Sequence, residues 1–177
     1  MPQIVLLRGI NLGPANRVAM PALRELLAAR GFEGVRTYLQ SGNIVLESGL
    51  SPTRLATECK RAIADEFGLD IEVLVRTRDE LAEVVARNPL GEVAVNPKHY
   101  QVTFLSAELD RRQIEKLESL AAEPERLVVI GREVYAWHPD GVARSKLWAR
   151  LGGQGLGVPA TSRNWSTVTT LLEMAEA

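Results

Sequence analysis

The sequence predicts an α+β fold built from two subdomains, each resembling a ferredoxin-like split βαβ unit, with an extra C-terminal helix. Short apolar runs rich in β-branched residues alternate with segments of helical periodicity. The order strand, helix, strand, strand, helix, strand is complete by residue 77, and a similar order starts again after residue 98. This order is that of the split βαβ arrangement.

The first half contains six predicted elements, each fixed by apolar periodicity and by turn or cap signals. In chain order they are strand Ile4–Ile10, a helix with Met20, Leu23, Leu26 and Leu27 on one face, strand Val35–Gln40, strand Ile44–Ser48, a helix from Ser51-Pro52 to Gly68, and strand Ile71–Arg76. Cys59 lies on the apolar face of the second helix, so we expect a core residue rather than a nucleophile.

The second half starts the same order again but ends in two helices, and the likeness is one of pattern only because the residues of the two halves are not visibly alike. After a helix at Arg78–Asn88 and a loop through Pro97, the predicted elements are strand Tyr100–Leu105, helix Asp110–Ala121, strands Arg126–Ile130 and Glu133–Trp137, helix Val142–Leu151, a flexible glycine-rich link over residues 152–157, and helix Ser162–Ala175. We therefore expect subdomains at residues 1–77 and 99–177, joined by a connector at 78–98.

Composition favours an ordinary globular protein. The 177 residues are 46% apolar and 24% charged, and the net charge of −1 gives no general attraction to nucleic acid or to an anionic membrane. The single cysteine allows no intrachain disulfide. No apolar run reaches the roughly 20 residues of a membrane helix, and the chain enters a strand without a signal-type segment. We expect a cytoplasmic protein without a membrane partner.

Two polar strand ends form the candidate site. The first contains Arg8, Asn11 and Asn16, and the second is Gln40-Ser41-Gly42-Asn43. In a split βαβ unit the first two strands are parallel, so the segments that follow them leave the sheet at the same end. Glycines, amide side chains and the N-terminus of the following helix would suit an anion such as phosphate or a carboxylate. The alternative is that these side chains only bond the backbone of their own turns.

Two stretches of the chain contain basic but no acidic residues, which supports an anion site there. No acidic residue precedes Glu25, and none lies between Asp140 and Glu173. Lys146 and Arg163 fall in the second acid-free stretch and are candidate charge donors. We expect Ser162 or Thr161 to cap the last helix there. The leading hypothesis is therefore binding of a small phosphorylated or nucleotide-like ligand.

Several chemistries lack their usual patterns in this sequence. Neither standard nucleotide-binding glycine loop is present, and no Cys or His pair has metal-ligand spacing, so no metal site is predicted. His138 begins a His-Pro-Asp-Gly segment that is more typical of a turn than of a site.

Two alternatives remain open: metal-assisted phosphoryl or nucleotidyl transfer, which would need a carboxylate such as Glu47 or Asp140 at the cluster, and nucleic-acid binding. The second is not favoured, because the two predicted central strands lack aromatic residues.

Three separated motifs resemble the bacterial family known as domain of unknown function 1697, or DUF1697. They are Arg8-Gly9-Ile10-Asn11-Leu12-Gly13, Thr37-Tyr38-Leu39-Gln40-Ser41-Gly42-Asn43, and residues 160–168 with Arg163-Asn164-Trp165. The resemblance covers nearly the whole chain and implies a two-subdomain α+β fold. It implies no activity, cofactor or catalytic residue. The chain has Pro14-Ala15 where we expect a glycine or a lysine-containing loop in this family.

Overall fold

The computed structural model describes residues 1–153 and 155–177 and confirms the α+β fold. The described residues form two four-stranded antiparallel sheets and six helices. The chain divides into two compact units, which we call unit 1 (residues 1–83 and 170–177) and unit 2 (residues 84–169). The predicted glycine-rich link includes Gln154, which lies outside the described residues.

Unit 1 is consistent with a split βαβ-like subdomain. Its elements are β1 (Pro2–Leu7), α1 (Met20–Ala29), β2 (Glu33–Tyr38), β3 (Asn43–Glu47), α2 (Pro52–Phe67) and β4 (Val73–Thr77), followed by the start of α3 (Arg78–Arg87). The strand order is β2-β3-β1-β4. Both β1 and β2 pair with β3 in the antiparallel sense, so β1 and β2 are parallel to each other, as the sequence predicted.

The core of unit 1 lies between this sheet and the helices α1 and α2. The predicted apolar face of α1 is buried at Met20, Leu23, Leu26 and Leu27, which confirms the helical period of these residues. Cys59 of α2 is fully buried in the same apolar cluster, which confirms its predicted core position.

Unit 2 has the same strand order around a second sheet. Its elements are β5 (Tyr100–Leu105), α4 (Arg111–Leu120), β6 (Arg126–Ile130), β7 (Glu133–Trp137), α5 (Lys146–Leu151), β8 (Ala160–Asn164) and the first part of α6 (Trp165–Glu176). The sheet runs β6-β7-β5-β8, which matches the order in unit 1. None of the helices in the described part of the chain is long and apolar enough to cross a membrane.

The C-terminal helix was predicted to begin at Ser162, and this was wrong. Residues 160–164 form β8, which pairs with β5, and the side chains of Thr103 and Ser162 are hydrogen-bonded at 2.7 Å. The helix α6 begins at Trp165, and its N-terminal cap is Asn164, whose Oδ1 accepts from the Thr167 amide. The predicted caps Thr161 and Ser162 are therefore strand residues.

The remaining differences concern where elements begin and end. The helix predicted from Val142 begins at Lys146, because the Ser145 hydroxyl caps it by accepting from the Trp148 amide. The first strand ends at Leu7 instead of Ile10. Arg8 therefore belongs to the loop that follows the strand, where residues 8–19 connect β1 to α1.

Candidate functional site

The β1–α1 loop and the β2–β3 turn leave the sheet of unit 1 at the same end. The amide of Leu7, the last residue of β1, donates to the carbonyl of Gly42 in the turn at 2.9 Å. We call Arg8, Asn11, Asn16, Gln40, Ser41 and Asn43, which these two segments contribute, the strand-end cluster. The geometric premise of the sequence prediction, that the two polar strand ends meet, is confirmed.

Asn11 joins the two segments directly. Its Nδ2 donates to the carbonyls of Gln40 at 2.7 Å and Val18 at 2.9 Å, and its Oδ1 accepts from the Val18 amide at 2.9 Å. The backbone of Asn11 has φ 55°, a left-handed conformation that asparagine tolerates better than most residues. Asn11 therefore fixes the turn and the segment before α1 in one arrangement.

The loop between Asn11 and Asn16 closes on itself. The Asn11 amide donates to the Asn16 carbonyl at 3.0 Å, and the Asn16 side chain makes a long contact of 3.4 Å with the Gly9 carbonyl. Arg8 is half-buried and its amide donates to the carbonyl of Glu72 at 3.0 Å, whereas Arg17 is exposed. The loop thus presents Asn16 and Arg17 to solvent, while Arg8 is partly covered.

The turn between β2 and β3 contributes the rest of the cluster. Asn43 is fully buried, and its Nδ2 donates to the carbonyl of Tyr38 and to the hydroxyl of Ser41, both at 2.9 Å. Gln40 is exposed and Ser41 is half-buried. Asn11 and Asn43 therefore organise the backbone, while Gln40 and Ser41 lie at the surface of the cluster.

The N-terminus of α1 differs from those of the other described helices. Its N-cap residue is Ala19, no side chain caps it, and its first turn contains no acidic residue. In each of the other five described helices, an amide of the first turn donates to a capping side-chain oxygen, which belongs to Ser51, Thr77, Asp110, Ser145 or Asn164. A helix N-terminus carries partial positive charge on its unsatisfied amides, and this one follows Arg17 closely in the chain.

The two candidate charge donors from the second half lie in unit 2. Lys146 is exposed at the first position of α5. Arg163 is buried in β8, where its Nη1 donates to the Thr161 hydroxyl at 2.7 Å and the Ser162 carbonyl at 2.8 Å. Desolvation lowers the pKa of Arg163 to about 10. Its guanidinium is held among strand residues, whereas the sequence predicted that Arg163 lies at the start of the last helix.

Of the two carboxylates that the transfer-enzyme alternative named, Glu47 lies in unit 1 but not at the cluster. Glu47 pairs with Pro2 at the other end of β1, where its carboxylate is 2.9 Å from the N-terminal amine. Asp140 belongs to unit 2. Within residues 1–153 and 155–177, no group of three or more His, Cys, Asp or Glu side chains is arranged to hold a metal ion.

Sequence reasoning missed a buried network in unit 2. His138 does begin a turn, as predicted, since its carbonyl accepts from the Gly141 amide. Its side chain, however, is fully buried, and Nδ1 lies 2.6 Å from Oε2 of Glu125, which also accepts from the Ser145 hydroxyl at 2.5 Å. Because an ionised carboxylate can only accept, Nδ1 carries the proton. No local spacing indicated this network, because its members come from three separate loop segments.

This network borders a cavity of about 480 Å³, but it is not a nucleophilic triad. The cavity is lined by residues 122–125, by Asp140 and Gly141, and by residues 143–145. The Ser145 hydroxyl lies 3.4 Å from Nδ1 of His138, the nitrogen that already faces Glu125. Nε2 is buried without a hydrogen-bond partner in the described part of the chain. A triad needs the base nitrogen opposite the carboxylate to face the hydroxyl, and here it does not.

Comparison with known proteins finds a matching family by sequence and a similar structure by fold. The sequence profile of the family described as "Protein of unknown function (DUF1697)" matches residues 1–135. The structure is similar to that of the conserved bacterial protein SP0830 from Streptococcus pneumoniae, with a TM-score of 0.75, 24% identity and 98% of each chain covered. At that identity the similarity shows a shared fold. No protein with a curated description is similar enough in sequence to count as a relative.

Proposed function

The chain belongs to the DUF1697 family, and from the geometry of the strand-end cluster we propose that it binds a small anionic molecule there, phosphorylated or nucleotide-like. The observation that carries the proposal is the uncapped N-terminus of α1. Among the described helices, it alone lacks a capping side chain, and it begins next to the cluster because Asn11 bonds both Val18 and Gln40. Helix N-termini of this kind favour negative charge.

The side chains of the cluster have two proposed roles. Asn11 holds the two segments together and Asn43 braces its own turn through the Tyr38 carbonyl, so their contribution to binding is to position the backbone. Arg8 and the neighbouring Arg17 would supply positive charge, and the exposed Gln40 would supply hydrogen bonds. No acidic residue precedes Glu25, so the charged side chains of this first segment are all basic.

The proposed site in unit 1 does not include Lys146 and Arg163, because both residues belong to unit 2. Their role as charge donors stays a prediction from the sequence.

Titration with inorganic phosphate and with nucleoside monophosphates, at constant ionic strength, tests the proposal by calorimetry. The parent should bind saturably, and Arg17→Gln should weaken binding about tenfold, the effect of losing one charge-assisted hydrogen bond. Arg61→Gln is the matched control, because Arg61 is an exposed arginine of unit 1 paired with Glu58 on α2. It should leave the dissociation constant unchanged.

Three results would contradict small-anion binding. One is the absence of saturable binding to every compound tested. Another is an equal loss of affinity in Arg17→Gln and Arg61→Gln, which would indicate attraction to general positive charge. The third is binding of oligonucleotides with a steep salt dependence but no binding of mononucleotides, which would favour the nucleic-acid alternative.

A further inference from the structure

The strand β6 lies at an outer end of the sheet in unit 2. The strand order β6-β7-β5-β8 gives it one strand neighbour among the described residues. Its sequence, Arg126-Leu127-Val128-Val129-Ile130, contains four consecutive apolar residues, all half-buried, and its only charge is at the first position. Exposed hydrophobic edge strands are templates for pairing with another chain, and proteins usually protect them.

The equivalent edge strand of unit 1 carries that protection. β2 occupies the same position in its sheet, and it contains exposed Glu33 and Arg36 and Gly34 at φ 60°. Its register with β3 shifts between Glu33 and Arg36. Charges and a bulge both hinder pairing at an edge. β6 instead pairs with β7 in unbroken register, from Arg126 opposite Trp137 to Ile130 opposite Glu133.

The register also decides which backbone groups of β6 face outward. Gly131-Arg132 is a two-residue hairpin loop with φ 58° at Gly131, so Ile130 and Glu133 form the closing hydrogen-bonded pair. Hydrogen-bonded and non-hydrogen-bonded pairs alternate along an antiparallel ladder. Val128 and Arg126 therefore bond to β7, whereas the N–H and C=O groups of Leu127 and Val129 point to the open edge.

We propose that β6 pairs with β6 of a second copy of this chain, antiparallel, about a twofold axis at Val128. In that register the outward groups of Leu127 meet those of Val129 in the second copy, and the reciprocal bonds form a second time by symmetry. Val128 lies opposite itself, and Arg126 lies opposite Ile130, so no like charges oppose each other directly. Such an isologous contact closes on itself and gives a dimer.

β6 is already held in place before it pairs with the second copy. Leu127 and Val129 pack against the apolar cluster of unit 2 on one side of the sheet. Pairing therefore requires little ordering of the strand, which reduces the entropic cost of association. The contact is one strand wide, and we expect a weak, concentration-dependent dimer that joins two four-stranded sheets into one.

Sedimentation equilibrium over a concentration series, with charge variants at Val128, tests the register. Val128→Lys and Val128→Glu should each abolish association, because position 128 opposes itself and like charges would meet. An equimolar mixture of the two variants should restore a dimer. Arg36→Glu is the matched control, since Arg36 is an exposed residue of the protected edge strand β2. It should leave association unchanged.

Amide hydrogen exchange provides a readout that needs no substitution. Protection of the Leu127 and Val129 amides should rise with protein concentration, while that of the Val128 amide, which already bonds to β7, should not. A parent chain that stays monomeric up to about 1 mM, where the association free energy would be only about −4 kcal/mol, overturns the proposal. So does a dimer that survives Val128→Lys, because that dimer must use another surface.

Discussion

The side-chain amide of Asn11 donates to the backbone carbonyl of Gln40 at 2.7 Å, across 29 positions of sequence. The same amide group bonds the Val18 carbonyl, so one side chain joins the segment before α1 to the turn between β2 and β3. One side chain therefore holds the two strand ends together, in addition to the backbone bond between Leu7 and Gly42. The stability of unit 1 should be unusually sensitive to that side chain.

Replacing Asn11 with alanine should lower the free energy of unfolding by about 2 to 3 kcal/mol, measured by urea denaturation. The variant loses the bonds to Val18 and Gln40 and places an alanine at φ 55°. Asn16→Ala is the matched control, because Asn16 also has φ 55° but makes only a 3.4 Å side-chain contact. We expect about 1 kcal/mol there. Equal losses would show that the Asn11 bonds contribute nothing net.

Gly42 is restricted by packing as well as by conformation. A Cβ atom at Gly42 would lie 2.6 Å from Cβ of Leu7, and the residue has φ 83°. Gly9 has φ 71° and no heavy atom within 4 Å of such a Cβ. Gly9→Ala should cost about 1 kcal/mol of stability from backbone strain. Gly42→Ala should cost about 1 to 3 kcal/mol more, because Leu7 must move. Similar thermal midpoints for the two variants would contradict this.

The parallel arrangement of β1 and β2 could be predicted from sequence because element order alone determines it. The right-handed crossover through α1 places Gly42 and Asn11 at one end, whatever the side chains do. β8 could not be predicted in this way. Its residues Thr161 and Arg163 are polar yet buried, so the strand has no apolar alternation. Only the neighbouring strand β5 accounts for it, and that pairing is a tertiary contact.

The sequence also could not predict whether each side chain of the cluster bonds the backbone or is available to a ligand. Asparagine in a turn is compatible with binding a ligand and with bonding its own backbone. The structure shows that Asn11 and Asn43 bond backbone carbonyls, which a residue type and a position cannot reveal. The missing cap of α1 could have been noticed, because Ala19 stands where Ser, Thr, Asp or Asn is usual.

Introducing a cap at Ala19 should raise stability while weakening anion binding. Ala19 has φ −74° and ψ 131°, the extended conformation of an N-cap residue, and the Ala22 amide is in position to donate. Ala19→Asp should therefore add about 1 kcal/mol to the free energy of unfolding. Its carboxylate would also occupy the proposed anion position and repel the anion. A stabilised variant with unchanged phosphate affinity would show that the helix N-terminus takes no part in binding.

Cys59 should be unreactive in the folded protein. Desolvation by burial, with a smaller effect from the charge of Glu58, raises the pKa of the thiol to about 12. The thiolate is the reactive form, so almost none is present at pH 8. Dithionitrobenzoate should label the native protein only as fast as it unfolds and the urea-unfolded chain at once. Rapid stoichiometric labelling without denaturant would contradict the buried position.

The Glu125 carboxylate is only 11% exposed and accepts hydrogen bonds from three donors. The Ser145 hydroxyl and His138 Nδ1 bond Oε2, and the Ala122 amide bonds Oε1 at 3.2 Å. Burial acts to raise the pKa of Glu125, but these hydrogen bonds and the charge of His138 outweigh it, so the pKa is lowered below its ordinary value. Glu125 therefore stabilises the fold in its ionised form.

The stability of the parent should consequently fall as pH drops below the ordinary glutamate pKa of 4.5 and through the lower pKa of folded Glu125. Above 4.5 the contribution is fully present. Glu125→Gln should be less stable at neutral pH by about 1 to 3 kcal/mol, because buried donors lose a charged acceptor, and its stability should approach that of the parent in acid. Glu123→Gln, at an exposed neighbour, should follow the parent. Urea denaturation across pH measures the difference, and parallel profiles for parent and Glu125→Gln would contradict the linkage.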